Sequence, residues 1–154
     1  MDERARILVV DDEESIRKVL KTVLEEEGYV VNTAENGKEA IRKSNVKFYN
    51  LALIDIRLPD IDGTKLLTAM KDTTPKMVKI IVTGYPTLQN AVEAVNRGAD
   101  AYVLKPFKME NVLNTIKEQL KKQQETKKYS QEKVAEFIKT RAEELKAMTH
   151  KKTP

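Results

Sequence analysis

Up to about residue 120 the chain alternates between two kinds of segment. Short, nearly continuous aliphatic runs occur at residues 7–10, 51–54, 80–82 and 101–104, with a weaker one at 29–32. Such runs predict strands buried on both faces of a parallel sheet. Between them, apolar residues recur at helical spacing. Ile16, Val19, Leu20, Val23 and Leu24 predict a first helix, with Gly28 at its C-terminal end. Asn36 is placed to cap a short helix through Ala40 and Ile41, and Asp62 to cap one that carries Leu66, Leu67 and Met70. Thr87 opens a fourth through Leu88, Ala91, Val92 and Val95, closed by Gly98. Met109, Val112, Leu113, Ile116 and Leu120 mark a fifth.

Strand and helix thus alternate five times. That order predicts an α/β fold, a doubly wound five-stranded parallel sheet with right-handed crossovers. Ligands of such sheets bind outside the carboxyl ends of the strands, where the strand order switches direction. After Leu120 the pattern changes. Residues 121–133 hold one aromatic, Tyr129, and no aliphatic side chain. A helical stripe then resumes with Val134, Phe137, Ile138, Leu145 and Met148. A soft boundary near residue 122 divides a domain at 5–122 from a C-terminal helical extension at 123–150, and residues 150–154 are expected to fray.

Composition narrows the class. The chain has 154 residues, 40% hydrophobic and 34% charged, which suits one soluble domain with a short appendage. It contains no Cys, so disulfides and thiolate metal sites are excluded. No run is long enough for a membrane span and the N-terminus lacks a signal-peptide core, so a cytoplasmic protein without membrane contact is expected. The formal net charge of +4 is unevenly spread. Residues 1–120 carry 18 Lys+Arg and 19 Asp+Glu, whereas residues 121–154 carry 10 and 5. The excess is read as a solvated helix face, and direct nucleic-acid binding is not expected.

The chemistry lies at the strand ends. The first strand runs into Asp11 and Asp12, the third into Asp55, the fourth into Thr83 and Gly84, the fifth into Lys105 and Pro106. The fold gathers these ends at one rim. Clustered carboxylates repel, and a hard divalent cation such as Mg²⁺ relieves the repulsion while also binding phosphate oxygens. Lys105 can pair with an incoming anion and Thr83 can offer it a hydroxyl. Asp55, between them, can attack phosphorus to give an acyl phosphate. The lone histidine, His150, is expected to be neither ligand nor phosphodonor.

These segments resemble the receiver domain of two-component response regulators, over roughly residues 5–122. The matching motifs are residues 9–13, with Asp11 and Asp12; residues 53–63, Leu-Ile-Asp-Ile-Arg-Leu-Pro-Asp-Ile-Asp-Gly around Asp55; residues 82–85; and residues 98–107, which end in Lys105, Pro106 and Phe107. The resemblance implies a flavodoxin-like sheet of order 2-1-3-4-5 and phosphorylation of Asp55. It implies Mg²⁺ held by the Asp12 and Asp55 side chains and the Arg57 carbonyl, with Asp11 acting largely through water. Thr83 and Lys105 would grip the phosphoryl group, and Tyr102 would be an aromatic switch coupled to Thr83. Arg57 and Tyr85 would tune the lifetime of the phosphoryl state, and the Lys105–Pro106 peptide would be cis.

The expected role is therefore a phosphoacceptor switch rather than an enzyme acting on other substrates. Its phosphodonor would be a sensor histidine kinase or phosphotransfer protein, and its downstream target protein is unnamed by the sequence. A stand-alone regulator is the first expectation, and a receiver within a longer transcription regulator the alternative. A dehalogenase-type phosphatase would carry an acid two residues after the nucleophile, where Arg57 stands. A flavodoxin-like electron carrier would not place four acids, residues 11–14, where a flavin phosphate binds. The tail stripe needs cover: on its own domain, in a homodimer through this helix or the face around Tyr102, or on a target.

Overall fold

The computed structural model describes residues 3–151, with side chains through Thr149, so the expectation for the His150 side chain lies outside it. Five strands form one sheet: β1 (Arg6–Val10), β2 (Val30–Ala34), β3 (Leu51–Asp55), β4 (Val78–Thr83) and β5 (Ala101–Leu104). Their order is β2-β1-β3-β4-β5 and every pairing is parallel. The helices between them are α1 (Glu14–Glu26), α2 (Gly37–Val46), α3 (Gly63–Ala69), α4 (Leu88–Asn96) and α5 (Met109–Lys151). The doubly wound architecture read from the alternating segments is therefore the fold found. Among the described residues no helix is long and apolar enough to cross a membrane.

Strand side chains alternate between two cores. Leu8, Val10, Ala52, Ile54 and Ile81 join Ala40 of α2, Leu66 and Leu67 of α3 and Ala94 of α4. Ile7, Val9, Leu51, Leu53, Ile80 and Val82 join Leu20 and Leu24 of α1 and Val112 and Ile116 of α5. Both faces of β1, β3 and β4 are thus dry, which explains runs without a polar partner in the alternation. Each fully buried aliphatic side chain contributes about 1.5–3 kcal/mol by removal from water. Lys79 is the exception inside β4. It is 6% exposed, and its ammonium donates to the Leu67 carbonyl near the end of α3 at 2.5 Å. Burial pushes its pKa down.

Several local signals hold. Asn36 accepts from the Glu39 N–H, Asp62 from Thr64 and Thr87 from Asn90, capping α2, α3 and α4. Gly28 and Gly98, both at positive φ, follow α1 and α4. Two expectations shift. The weak strand near residues 29–32 forms later, at Val30–Ala34. The stripe that marked α4 faces outward: Leu88 is 82% exposed and Val95 70%, while Ala94 is buried. The small alanine lets α4 lie close to the sheet with its larger aliphatics in solvent.

The chain divides into two compact units, residues 1–120 and 121–154. The second consists of the helical turns of α5 from Lys121 onward, with no break at residues 121–133. Lys, Gln and Glu there are good helix formers that need no apolar partner. Tyr129, Val134, Phe137, Ile138, Leu145 and Met148 are all at least 50% exposed.

The start of α3 lies against the end of β3. The Gly63 N–H donates to the Ile56 carbonyl at 2.7 Å, and a Cβ on Gly63 would fall 2.2 Å from the Asp55 carbonyl oxygen. Only backbone movement relieves that clash. Gly63→Ala is therefore expected to lower stability by about 3 kcal/mol, seen as a lower denaturation midpoint with an unchanged slope.

Candidate functional site

β1 and β3 are neighbours, and the chain crosses between them to change direction along the sheet. Their carboxyl ends bring three acids together. Carboxylate oxygens of Asp11, Asp12 and Asp55 all lie within 4.8 Å of one another. Asp11 and Asp55 are 3% and 6% exposed, while Asp12 faces solvent. The cluster follows from the sequence directly. The aliphatic runs of β1 and β3 each lead into an acid at the carboxyl end, and in-register parallel pairing of Val10 with Ile54 sets those ends side by side.

Lys105, just after β5, reaches into the cluster. Its ammonium lies 2.8 Å from an Asp11 oxygen and 3.3 Å from an Asp55 oxygen. The Lys105 N–H donates to the Thr83 carbonyl, and the Lys105–Pro106 peptide is cis. A second cis bond, Thr74–Pro75, gave no signal in the sequence reading. Asp11 is further held by the Glu13 N–H on its carboxylate at 2.9 Å. Arg17, which the sequence did not single out, donates to the Asp11 carbonyl at 2.8 Å. No linear motif announces it, because the contact depends on how α1 turns after β1.

The electrostatics is strained. At Asp55 burial raises the pKa, Lys105 lowers it, and Asp11 raises it again, with a net upward shift. At Lys105 burial favours the neutral amine, but the hydrogen bond and charge of Asp11, then the charge of Asp55, outweigh it and the pKa rises. The two shifts are reconciled by distance. Asp11 holds the ammonium more closely, so Asp55 receives the smaller share of one positive charge. The carboxylates outnumber the ammonium among the described residues, and the donors are all oxygen. That set fits a hard divalent cation and no soft metal.

Thr83 is fully buried at the end of β4, and its hydroxyl accepts the Tyr85 N–H at 2.9 Å. Tyr102 pairs with Ile81 in the register of β4 and β5, which puts Tyr102 and Thr83 on the same face of the sheet. The Tyr102 hydroxyl is buried among the core side chains and makes no hydrogen bond among the described residues, and burial raises its pKa. The Arg57 N–H approaches an Asp55 carboxylate oxygen at 3.4 Å. Its guanidinium stacks on Tyr85, 3.4 Å from the ring centroid. Sequence reading named both residues but not their contact, which joins two different loops.

Comparison with known proteins agrees with this geometry. The family model described as "Response regulator receiver domain" matches residues 7–117. Regulatory protein AtoC of Escherichia coli (strain K12) is 37% identical over 123 residues, which are 80% of this chain and 26% of AtoC. A CheY-like receiver domain protein from Methanospirillum hungatei JF-1 is 45% identical, with a TM-score of 0.78 over 80% of this chain and 99% of that one. A response regulator protein from Burkholderia pseudomallei, solved with a phosphorylated aspartic acid, calcium ion and citrate, is 31% identical, with a TM-score of 0.65 over 71% of this chain and 64% of that one. The chain spans between a quarter and about half the length of the curated relatives it matches. With five parallel strands in the order 2-1-3-4-5 and the acidic pocket at their carboxyl ends, this chain belongs to the response regulator receiver domain family of two-component signalling.

Proposed function

We propose that the domain is a phosphoacceptor switch that takes a phosphoryl group onto Asp55 from a sensor histidine kinase or phosphotransfer protein. The observation that carries the reading is the buried Asp55 carboxylate, flanked by two further acids and one ammonium at the switch point of the sheet. An Asp55 oxygen attacks phosphorus, the bond from phosphorus to the donor breaks, and the leaving group keeps the electron pair. Lys105 is placed to pair with the phosphoryl oxygens once its hold on Asp55 is exchanged. The Thr83 hydroxyl, which now accepts from Tyr85, has its own proton to donate.

The cation is proposed to be Mg²⁺, held by Asp12, Asp55 and the Arg57 carbonyl, with Asp11 acting through water. It would neutralise charge shared between the carboxylates and the phosphoryl oxygens. Tyr102 is proposed as the switch residue paired with Thr83. In this reading the receiver domain spans residues 5–122 and a helical extension 123–150, and the protein is cytoplasmic and catalyses nothing on other substrates. Relatives named as transcriptional regulatory proteins leave the rest of such a chain open. The expectation of no direct nucleic-acid contact is therefore proposed for these residues only.

A small phosphodonor with Mg²⁺ is expected to label the protein at one site, and Asp55→Asn to abolish the label with the fold intact. Labelling of the variant at parental stoichiometry, measured by mass spectrometry, would sink the assignment. The same variant gives a pH test. A carboxyl whose pKa rises on folding adds stability below an aspartate's ordinary value of 3.8 and loses it as the pH climbs through the raised value. Without Mg²⁺, Asp55→Asn is therefore expected to be more stable than the parent at neutral pH, and the gain to vanish in acid.

Arg57 and Tyr85, stacked as one unit, are proposed to shield the phosphoryl group from in-line water. Removing either by Arg57→Ala or Tyr85→Ala is expected to speed loss of the phosphoryl group, with the double variant little faster than the singles. Decay rates equal to the parent's in all three would rule out shielding.

The exposed stripe from Val134 to Met148 is proposed to pair with a second copy. Arg141 interrupts the stripe, yet it is matched by Glu144 one turn on at 3.1 Å. With beryllium fluoride the parent is expected to sediment as a dimer and a chain ending after Gln123 as a monomer. The same number of copies per particle in both would reduce the tail to an appendage.

A further inference from the structure

The loop after β3, residues 56–62, is pinned at two places. One is its neck, where the Gly63 N–H meets the Ile56 carbonyl and Arg57 bridges Asp62. The other is its far end, on a different helix. Asp60 reaches across to the N-terminus of α2 and accepts the Gly37 N–H at 2.8 Å and the Lys38 N–H at 2.9 Å, one with each carboxylate oxygen. Next to it Ile61 lies against Gly37 so closely that a Cβ there would fall 2.1 Å from the Ile61 Cγ2.

These contacts do more than finish a helix. The first turn of α2 already has a cap of its own, since Asn36 takes the Glu39 N–H at 2.8 Å. Asp60 supplies the other two acceptors from more than twenty residues away in sequence. A carboxylate on two amides at a positive helix end is a charge-assisted pair. Its effect is to fix the loop, and Arg57 lies inside the fixed stretch with its N–H toward Asp55.

We propose that Asp60 is a positioning residue for the cation pocket: by clasping the N-terminus of α2 it holds the 56–62 loop, and Arg57 within it, beside Asp55, so that the Arg57 carbonyl can serve the cation. The proposal rests on the cation reading given above. Linkage makes the effect reciprocal, so a cation in the pocket tightens the clasp.

The test is a Mg²⁺ titration of the full chain followed by amide NMR, with hydrogen exchange at Gly37 and Lys38. Asp60→Ala is expected to weaken Mg²⁺ binding about tenfold, as loss of a supporting contact does at metal sites. Asp60→Asn keeps one good acceptor and is expected to fall between. Asn36→Ala removes the other cap of the same helix without touching the loop, and is expected to leave Mg²⁺ affinity near the parent's. In the unaltered chain, Mg²⁺ is expected to slow exchange at Gly37 and Lys38. Parental affinity in Asp60→Ala, or equal loss in Asn36→Ala, overturns the clasp while the pocket stands. Absence of Mg²⁺ binding by the unaltered chain overturns both. Should Asp60→Ala fail to fold, the exchange measurement decides, and unchanged exchange at both amides refutes the proposal.

Discussion

Mutual repulsion among Asp11, Asp12 and Asp55 is the constraint around which the rest is arranged. Two of the three are nearly buried, so water screens them poorly. The sheet tolerates this because Lys105, just past the end of β5, places its ammonium between Asp11 and Asp55. The ammonium lies closer to Asp11 than to Asp55, and burial with the neighbouring Asp11 charge raises the Asp55 pKa despite it. The cluster thus gains from any added positive charge, which a relaxed cluster would have no reason to take up.

The clustering was legible because it needs only two facts from the chain. Alternating segments specify the parallel sheet, and its strands all point the same way, so their carboxyl ends share one rim. Asp11, Asp55, Thr83 and Lys105 each stand at or just past such an end, so their gathering at that rim follows from topology. What stayed hidden depends on side-chain reach between distant segments. Arg17 on Asp11, Arg57 on Tyr85 and Asp60 on the start of α2 carry no spacing rule. Lys79 was hidden for another reason. A lysine beside Ile80 reads as the edge of a strand, whereas its ammonium threads through the core to the Leu67 carbonyl.

The unbroken α5 shows that a division into compact units need not interrupt a helix. Loss of aliphatic residues after Leu120 accompanies a change in side-chain character and not in backbone. Residues 121–133 remain helical because their side chains favour helix on their own account. The same distinction explains α4, whose apolar residues are periodic yet point away from the sheet.

That outward face of α4 has an energetic consequence. A helix anchored by Ala94, with Leu88, Val92 and Val95 in water, has little apolar area to forfeit when it moves. Its opening free energy lies at the low end of the range found within one domain. A displacement of α4 therefore costs less apolar contact than a displacement of a helix with buried leucines. The helices α1 and α3, with Leu20, Leu24, Leu66 and Leu67 buried, are tied to the sheet by far more apolar contact.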